Sequence, residues 1–576
     1  MVIEVPAEPG ETVRKHLWSY LWSSNSAWGA SEALWWVLLA RSREERILVV
    51  NRATAMRVVG LAVGGVASTG VAAVPPAAAA AADHPTVDWW PCPSYSDAAI
   101  RTQGISDKQI PQFRAQMKRL ECGRVSVPLD YRRPNGRKIS IAITRLGAVD
   151  NKRRLGSIAY LTGGPGKAGF LAPLTYVTLK NKESARLNDR YDLIGIDPRG
   201  VNYSTQSTST RCGIPGADPN NPGPGTEKPG LPTKASAKKS YDAQVSSNRS
   251  CGRSDPAFLG QLTSMNVVRD LDRVRAALGE PKLNLYGASQ GVWFGLMYRS
   301  MFPGRAGRAF LDSVPPPWTR HRVDKSGNVT ADAAERNFAR MAAWLARRHA
   351  TYGLGTTAAQ VRAAVLKLRR DYDRHPKKFA DMKNSVDGVT IALLAGKTSP
   401  DWSRAGQALA ELRHATGPTA PPTVKEMFGA EPAKPVPGAP EILNITMHRA
   451  TKCNEDFSRL SFSRAWADYW KRLKRDPVTG RAFGPAVPCA GWPLPAQELR
   501  FQRGEAPLVL SGHRYEQATA YEWTRQTQRA VGGEIYTVDD DVHTSALSVP
   551  ECAADIVTYF NTGRIDRGCK GVRPPA

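Results

Sequence analysis

The sequence predicts a mostly parallel α/β sheet interrupted by a long helical segment. Short apolar runs rich in β-branched residues alternate with helical patterns after residue 124, and this alternation favours a sheet covered by helices on both faces. Between about residues 318 and 500 only helical periodicity is found, and strand patterns then resume. At 576 residues, the chain is long enough for one large domain with such an insertion.

Eight apolar, β-branched segments are predicted as strands, and most of them are short enough to be buried. The segment 265–279 between two of them repeats apolar residues at helical spacing and ends in Gly279, which indicates a helix of the sheet domain. Inside the insertion, Val361, Val365, Leu368 and Tyr372 follow the same spacing. The predicted strands are 124–131, 138–146, 156–164, 191–200, 282–287, 307–314, 506–512 and 533–540.

The N-terminal region predicts an export signal that does not begin at residue 1. Residues 57–82 combine one arginine, a weakly apolar stretch and an Ala-rich end, which is typical of a signal peptide cut near Ala82. A membrane anchor is disfavoured because the stretch is short and rich in Gly, Ala and Pro. Since Met56 directly precedes this segment, we expect translation to start there. The predicted domains are 1–55, a mis-assigned start or leader; 56–82, the signal peptide; 83–317, the first part of the core; 318–500, a helical lid; and 501–576, the C-terminal part of the core.

Cysteine usage agrees with export to an oxidising compartment. All eight cysteines follow Ala82, and none forms a Cys-x-x-Cys pair. An even number without metal-ligand spacing in an exported chain indicates disulfides, and pairing of sequential neighbours is the simplest arrangement. We therefore expect Cys92–Cys122, Cys212–Cys251, Cys453–Cys489 and Cys552–Cys569.

The charge of the chain is strongly positive, at +27. Its 79 basic residues are scattered and form no basic tract interleaved with aromatic residues, so the pattern is not typical of nucleic-acid binding. A soluble, basic protein is the preferred interpretation. Its charge is compatible with association with anionic cell-wall polymers.

The stretch "LNLYGASQGVWFG" places Ser289 between Gly287 and Gly291, after a strand and before a helix. A serine on such a strand-turn-helix elbow projects its hydroxyl above the sheet and can act as a nucleophile. A glycine-rich packing turn is the alternative, because the motif alone is common. The flanking strand and helix favour catalysis.

A nucleophilic serine needs a base and an acid, which follow it in the order acid then histidine in chains with this elbow. His543 comes just after the last predicted strand and is the expected base, whereas His513 is expected to be a loop residue. Glu516 is the first acid after the strand 506–512 and is the expected partner of His543. The alternatives are Glu522, which follows in the same loop, and Asp539, Asp540 and Asp541, which are close to His543 in sequence.

Acyl transfer also needs donors for the oxyanion. The N–H of Gln290, directly after the nucleophile, is one expected donor, and an earlier strand-to-helix loop supplies the other. The loop "LTGGPGKAG" has glycines that let backbone amides face a ligand, and we select Gly164 in it. A merely flexible turn is the alternative.

The motifs "CGRVSVPLDY", "LTGGPG", "IDPRG", "LYGASQG", "TKCNED", "PCAGWP" and "ECAADIVTYFNTG" resemble, in this order, the secreted actinobacterial tripeptidyl aminopeptidases. These are α/β-hydrolases related to prolyl aminopeptidases, with a characteristic C-terminal region. The resemblance covers about residues 87 to 570 and implies an α/β-hydrolase fold and removal of short peptides from free N-termini. It implies a Ser-acid-His mechanism without metal or cofactor. Glu516 stands where the family usually has aspartate, and Ala520 where it usually has proline.

An exopeptidase must also recognise the α-ammonium group of its substrate, and a carboxylate at the end of the pocket would do so. The segment "TKCNEDF" supplies Glu455 and Asp456 as candidates, and the family has acid there too. The alternative is a helix start, with Asn454 or Asp456 as a cap. We expect the lid to limit the depth of the pocket and so the length of peptide removed.

Other functions use the same features. A secreted carboxylesterase or lipase would have the same triad with an apolar pocket, and a prolyl-type aminopeptidase would remove single residues. A non-catalytic surface-binding module would keep the fold with a decayed site. The preferred hypothesis is a secreted or cell-wall-associated, monomeric serine exopeptidase whose partners are peptides with a free N-terminus, without nucleic acid, metal or cofactor.

Overall fold

The computed structural model describes residues 85–576 apart from 210, 213–228, 319, 321, 431–433 and 486, together with two short N-terminal strands. The chain divides into two compact units, Met1–Ala82 and Asp83–Ala576. In the first unit, β1 (Val37–Leu39) and β2 (Leu48–Val50) pair antiparallel. The predicted start at Met56 and the predicted signal peptide lie outside the described residues.

The second unit contains a ten-stranded sheet in the order β12-β11-β10-β9-β8-β6-β7-β5-β4-β3. The first seven strands in this order, from β12 to β7, are parallel to one another. The remaining neighbours, β7 with β5, β5 with β4 and β4 with β3, pair antiparallel. The strands are β3 (Asp88–Trp90), β4 (Leu120–Pro128), β5 (Lys138–Leu146), β6 (Ser157–Leu161), β7 (Asp192–Ile196), β8 (Leu283–Ala288), β9 (Ala306–Asp312), β10 (Leu508–His513), β11 (Glu534–Val538) and β12 (Gly568–Cys569).

Helices follow most of the parallel strands, as the alternating sequence pattern predicted. The helices are α1 (Asp97–Thr102), α2 (Ile110–Met117), α3 (Ala172–Thr175), α4 (Lys182–Ala185), α5 (Leu187–Arg190), α6 (Lys234–Ser254), α7 (Pro256–Leu259), α8 (Ser264–Ala277), α9 (Gln290–Met301), α10 (Arg322–Ala346), α11 (His349–Tyr352), α12 (Ala358–Arg374), α13 (Gly388–Ala395), α14 (Trp402–His414), α15 (Pro422–Phe428), α16 (Ile445–Asn454), α17 (Phe462–Arg475), α18 (Tyr521–Val531) and α19 (Pro550–Thr562).

The sheet separates two hydrophobic cores because successive residues of a strand point to opposite faces. On β8, Leu285 packs into the core that contains Val267 of α8, and its neighbour Tyr286 packs into the core that contains Ile556 of α19. Both faces are therefore covered, which is the arrangement expected of a parallel sheet. The predicted α/β class is confirmed.

A long helical segment runs from the end of β9 to the start of β10 and contains α10 to α17. It has a hydrophobic core of its own, which includes Phe338, Val365 and Trp402. Its two ends arrive at neighbouring strands, since β9 and β10 pair in parallel with Leu508 opposite Ala309 and Ser511 opposite Asp312. The segment is therefore an insertion between two adjacent strands of the sheet.

Four disulfides join the cysteines as sequential neighbours: Cys92–Cys122, Cys212–Cys251, Cys453–Cys489 and Cys552–Cys569. These are the pairs expected from the sequence. In the part of the chain that the structure describes, no helix has both the length and the apolar character to cross a membrane.

Candidate active site

Ser289 occupies a sharp turn between β8 and α9, with φ 57° and ψ −120°. A positive φ is uncommon for a residue other than glycine, and such a strained conformation persists only where surrounding contacts hold it. One of these contacts is the bond from the N–H of Ser289 to the carbonyl oxygen of Asp312, at 2.9 Å, on the neighbouring strand β9. The turn thus has the conformation of a nucleophile elbow.

The two glycines of the motif allow α9 to cross the sheet at very short range. A Cβ added to Gly291 would lie 1.9 Å from the carbonyl oxygen of Leu161 in β6. A Cβ on Gly287 would lie 2.7 Å from the carbonyl oxygen of Gly291. Side chains at either position would force backbone apart, so the elbow needs glycine two residues before and two residues after the serine.

His543 binds Glu516 through its Nδ1 atom, which contacts Oε1 of the carboxylate. The histidine follows β11, and the glutamate follows the adjacent strand β10. The Glu516 side chain is 1% exposed, whereas that of His543 remains 38% exposed. A buried carboxylate that orients a solvent-accessible imidazole is the arrangement a general base requires.

The Glu516 carboxylate is held by three further hydrogen bonds. Oε1 accepts from the N–H of Thr519 at 3.0 Å and from its hydroxyl at 2.7 Å, and Oε2 accepts from the hydroxyl of Ser313 at 3.0 Å. Burial raises the pKa of Glu516, but attraction to His543, with these bonds, outweighs burial and leaves the pKa below its ordinary value. The carboxylate is therefore ionised and fixed in place.

Ser313 links the loop of the acid to the loop of the histidine. Its hydroxyl donates to Glu516 and accepts the N–H of Thr544, the residue after His543, at 2.8 Å. Both Ser313 and Thr544 have positive φ, at 58° and 57°. Because Ser313 directly follows Asp312, which ends β9 and binds the elbow, these two consecutive residues connect all three parts of the candidate triad. Sequence reasoning missed Ser313 and Thr519, since no local pattern marks such contacts.

The alternative acids all bind other groups. Asp539 pairs with Arg514, and Glu522 pairs with Arg336. Asp541 accepts from the N–H and hydroxyl of Ser399 at 2.9 and 2.7 Å, and Asp540 contacts His513. Of the acids considered from the sequence, the structure thus brings Glu516 to His543.

His513 differs from its prediction as a loop residue. It is the last residue of β10 and is fully buried between Asp312 and Asp540. The sequence predicts a loop there because the apolar run of the strand ends at Gly512, before the histidine. The paired carboxylates supply the compensation that lets a charged ring end a buried strand.

The glycine loop after β6 lies against the elbow. A Cβ added to Gly163 would lie 3.5 Å from Oγ of Ser289 and 3.2 Å from the carbonyl oxygen of Ala288. The Gly163 carbonyl accepts the N–H of Lys167 at 3.3 Å. Since the carbonyl and the following N–H point in opposite directions across a trans peptide, the N–H of Gly164 points out of this turn.

Asp197 fixes the far end of the same loop. Its carboxylate accepts the N–H groups of Gly169 and Phe170, each at 2.9 Å, and bonds from Asn202 and Tyr203 on its other oxygen. Burial raises the pKa of Asp197 to about 6, although these four neutral donors favour the ionised form. The loop is therefore anchored to the end of β7.

The inserted segment reaches the candidate site on two sides. On one side, the N–H of Asn444 donates to Gly166 at 2.9 Å, and Nδ1 of His448 lies 2.9 Å from the Pro165 carbonyl oxygen. On the other side, Asn337 and Ser399 bind Asp541, two residues before His543. The insertion is thus bonded both to the glycine loop and to the loop of the histidine.

The two acids expected to bind a substrate amine are buried in hydrogen-bonded positions. Glu455 accepts from the N–H of Ser264, at the start of α8, and from the Ser264 hydroxyl at 3.0 Å. Asp456 accepts from the N–H and hydroxyl of Ser458 at 2.9 and 2.7 Å. A third carboxylate, Glu441, is half-buried close to the glycine loop and accepts from the N–H of Asn202 at 2.8 Å.

Two family models match the chain. Residues 163–384 match the model described as alpha/beta hydrolase fold, and residues 476–571 match the model described as TAP-like protein. A tripeptidyl aminopeptidase from Streptomyces lividans is 29% identical over 511 residues, which cover 85% of this chain and 87% of that protein. Serine protease Hip1 from Mycobacterium tuberculosis is 25% identical over 511 residues, which cover 85% of this chain and 90% of that protein. The chain therefore has an α/β-hydrolase fold and a C-terminal region that matches the TAP-like model, as its motifs predicted.

Proposed function

We propose that this serine hydrolase is a secreted exopeptidase that removes tripeptides from the free N-termini of peptides. The observation that carries the proposal is the bond between the buried Glu516 and the accessible His543, in loops that Ser313 and Asp312 tie to the Ser289 elbow. Relatives that match over 85% of this chain are a tripeptidyl aminopeptidase and a serine protease, which supports a peptide substrate.

The proposed reaction begins when His543 takes the proton of the Ser289 hydroxyl and Oγ attacks the scissile carbonyl carbon. The oxyanion that forms is held by the N–H groups of Gln290 and Gly164, and Glu516 stabilises the imidazolium. The imidazolium then donates its proton to the leaving amine as the C–N bond breaks. Water, activated by the same histidine, cleaves the acyl-enzyme and restores the serine.

The inserted segment, α10 to α17, is proposed to act as a lid that limits how much of the peptide lies on the N-terminal side of the scissile bond. Its bonds to Gly166 and Asp541, on two sides of the candidate site, support this role. A carboxylate within or beside the lid would then hold the substrate ammonium at a fixed distance from Ser289. Glu455 and Asp456 remain the proposed residues. Glu441 joins them because the next residue, Ile442, accepts the N–H of Ala168 in the glycine loop at 3.0 Å.

The decisive experiment compares chromogenic anilides of one, two and three residues, each with a free and with an acetylated N-terminus. We expect the highest kcat/KM for the free tripeptide and a large loss on acetylation, because the ammonium contact is then removed. Ser289→Ala should fold and lose nearly all turnover in the same assay. Equal rates on free and acetylated substrates would contradict the exopeptidase assignment.

Short acyl esters are added to the substrate panel to distinguish a carboxylesterase from the proposed exopeptidase. Activity on esters with none on any anilide would identify an esterase that uses the same triad. A fluorophosphonate probe that labels the parent but not Ser289→Ala would show that the serine is reactive whichever substrate is preferred. Failure to label the parent would instead select a non-catalytic protein.

The ammonium site is tested with three separate variants, Glu441→Gln, Glu455→Gln and Asp456→Asn. The variant that lacks the responsible carboxylate should raise KM for the free tripeptide and leave that for the acetylated one unchanged, which narrows the preference between them. A loss of stability alone, without this change in preference, would assign the residue to the fold. Parent-like preference in all three variants would show that the amine is recognised elsewhere.

Secretion is proposed from the disulfides and the N-terminal sequence. Four disulfides are typical of proteins of oxidising compartments, and residues 57–82 have the composition of a signal peptide. Sequencing the N-terminus of the protein recovered outside the producing cells tests this proposal. We expect a mature chain that begins near residue 83.

A further inference from the structure

A second histidine–carboxylate cluster lies beneath the candidate triad and takes no part in the proposed reaction. His513 binds Oδ1 of Asp312 through Nε2 at 3.0 Å and Oδ1 of Asp540 through Nδ1 at 2.7 Å. The side chains of His513 and Asp312 are fully buried, and Asp540 is 1% exposed. Both ring nitrogens meet carboxylate oxygens, and when both carboxylates are ionised these contacts need two N–H donors and therefore an imidazolium.

Each carboxylate of this cluster is attached to a different part of the candidate triad. Asp312 accepts the N–H of Ser289 on its backbone oxygen, so its residue position is fixed to the elbow. Asp540 accepts the hydroxyl of Ser545 at 2.6 Å and the N–H of Val542 at 3.3 Å, and these residues flank His543 and Thr544. His513 thus joins the strand beside the nucleophile to the loop of the base.

We propose that His513 is a positioning residue of the catalytic site, whose fixed positive charge joins Asp312 to Asp540 and keeps their combined negative charge from acting on His543. The proposal rests on the assignment of Ser289, Glu516 and His543 as the catalytic residues. It assigns His513 no contact with substrate.

The charges around the two histidines are coupled. Burial lowers the pKa of His513, but attraction to Asp312, with hydrogen bonds to both carboxylates and attraction to Glu516, raises it well above its ordinary value. Burial raises the pKa of Asp312, yet His513 and, more weakly, His543 bring it below its ordinary value. The groups that face His513 are Asp312 from β9, Asp540 after β11 and Glu516 after β10, and the hydroxyl of Tyr286 on β8 lies 3.4 Å from Asp312.

Loss of the positive charge would leave Asp312 and Asp540 uncompensated beside His543. Protonation of His543 would then become easier, since the added negative charge favours the imidazolium. The general base would be inactivated at a higher pH than in the parent. A residue that only fills space would not produce this change.

The test is the pH dependence of fluorophosphonate labelling of Ser289, which does not depend on which substrate the enzyme prefers. In His513→Gln we expect the acidic limb to move up by about half a pH unit or more. The labelling rate at its plateau should fall about tenfold or more, because the link between the two loops is lost. In Asp312→Asn/His513→Gln the cluster regains its parental net charge, so the limb should return toward its original pH while the rate stays reduced.

Arg514→Gln is the matched control. It also removes one positive charge, at the next residue, but Arg514 is 46% exposed and pairs with Asp539 at the surface. Water and salt screen such a charge, so we expect the parental profile. A His513→Gln profile that superimposes on the parental one, or a slower rate with an unmoved acidic limb, would overturn the proposal.

Nitrogen NMR of the histidine-labelled, untagged parent covers the case in which His513→Gln does not fold. One imidazole should keep both nitrogens protonated at pH 9, well above the ordinary range of histidine. A spectrum in which every histidine ring is neutral at that pH would refute the proposal. A parent that carries this imidazolium but hydrolyses no peptide would contradict the proposed function while leaving the charge of His513 established.

Discussion

His513 ends β10 and His543 follows the neighbouring strand β11, and each histidine binds buried carboxylate, yet the two environments suit opposite tasks. His543 contacts one carboxylate through Nδ1 and keeps 38% of its side chain exposed. His513 is sealed and bound by a carboxylate at each ring nitrogen. A base must gain and lose a proton near neutral pH, whereas an imidazole held between two carboxylates stays charged. The exposure of each ring and the number of carboxylates bound to it therefore distinguish the base, His543, from the buried His513.

The largest expected effect is the loss of the accessible imidazole. His543→Ala should fold, because the side chain is partly exposed, and should lose about 10⁵- to 10⁶-fold in kcat, similar to Ser289→Ala. Single-turnover kinetics with the free tripeptide anilide measure this. His375→Ala, which removes an exposed histidine of the insertion, should stay within about twofold of the parent. Equal losses of kcat in His543→Ala and His375→Ala would show that His543 is not the catalytic base.

The second-largest effect is expected when the negative charge of Glu516 beside His543 is removed. Glu516→Gln keeps the size of the side chain but no longer stabilises the imidazolium, so kcat should fall about 10³- to 10⁴-fold. Asp539→Asn removes a carboxylate closer to His543 in sequence and should have little effect, since Asp539 pairs with Arg514 at the surface. If Asp539→Asn had a lower kcat than Glu516→Gln, the assignment of Glu516 as the catalytic acid would be wrong.

A smaller loss is expected when Ser313 no longer links the two loops. Ser313→Ala removes a bond to the Glu516 carboxylate and a bond from the Thr544 N–H, and hydrogen bonds to charged groups contribute about 1.5 to 3 kcal/mol. We expect kcat to fall about ten- to hundredfold with KM little changed. Ser313→Gly, which also lacks the hydroxyl but adopts the φ of 58° without strain, should lose a similar part of the rate. An unchanged kcat in the alanine variant would show that the loops are aligned without this link.

The smallest effect concerns a carboxylate held by neutral donors alone. Asp197 has a pKa of about 6 in the folded protein, above the ordinary value of aspartate. A raised carboxyl pKa favours the protonated form in the folded state, so stability should fall as the pH rises from about 4 to about 6 and level off above that. The Tm of Asp197→Asn relative to the parent should therefore rise by a few degrees across this window. A constant difference between the two proteins would exclude titration of Asp197.

Local patterns predicted the sheet and the position of Ser289, but not the contacts that complete the site. The strand before Ser289 and the glycines around it are read directly from neighbouring residues, and β5 begins and ends where its apolar run does. The edge strands β3 and β12 have only three and two residues, too few to show a period. Ser313 and His513 take their roles from residues far away in the chain, which no single window of sequence contains.

The parallel register between β9 and β10 has a consequence for how enzymes of this architecture diversify. The long segment from Ser313 to Pro507 leaves one strand and returns to its immediate neighbour, so the sheet fixes both of its ends whatever lies between them. Replacing or resizing the helices of that segment would leave the hydrogen-bond ladder of the sheet intact. The helices around Phe338, Val365 and Trp402, which form a core of their own, are therefore the part of the segment that can change with least effect on the sheet. The part around Met447 and Ala450 packs into the core of the sheet and is constrained together with it.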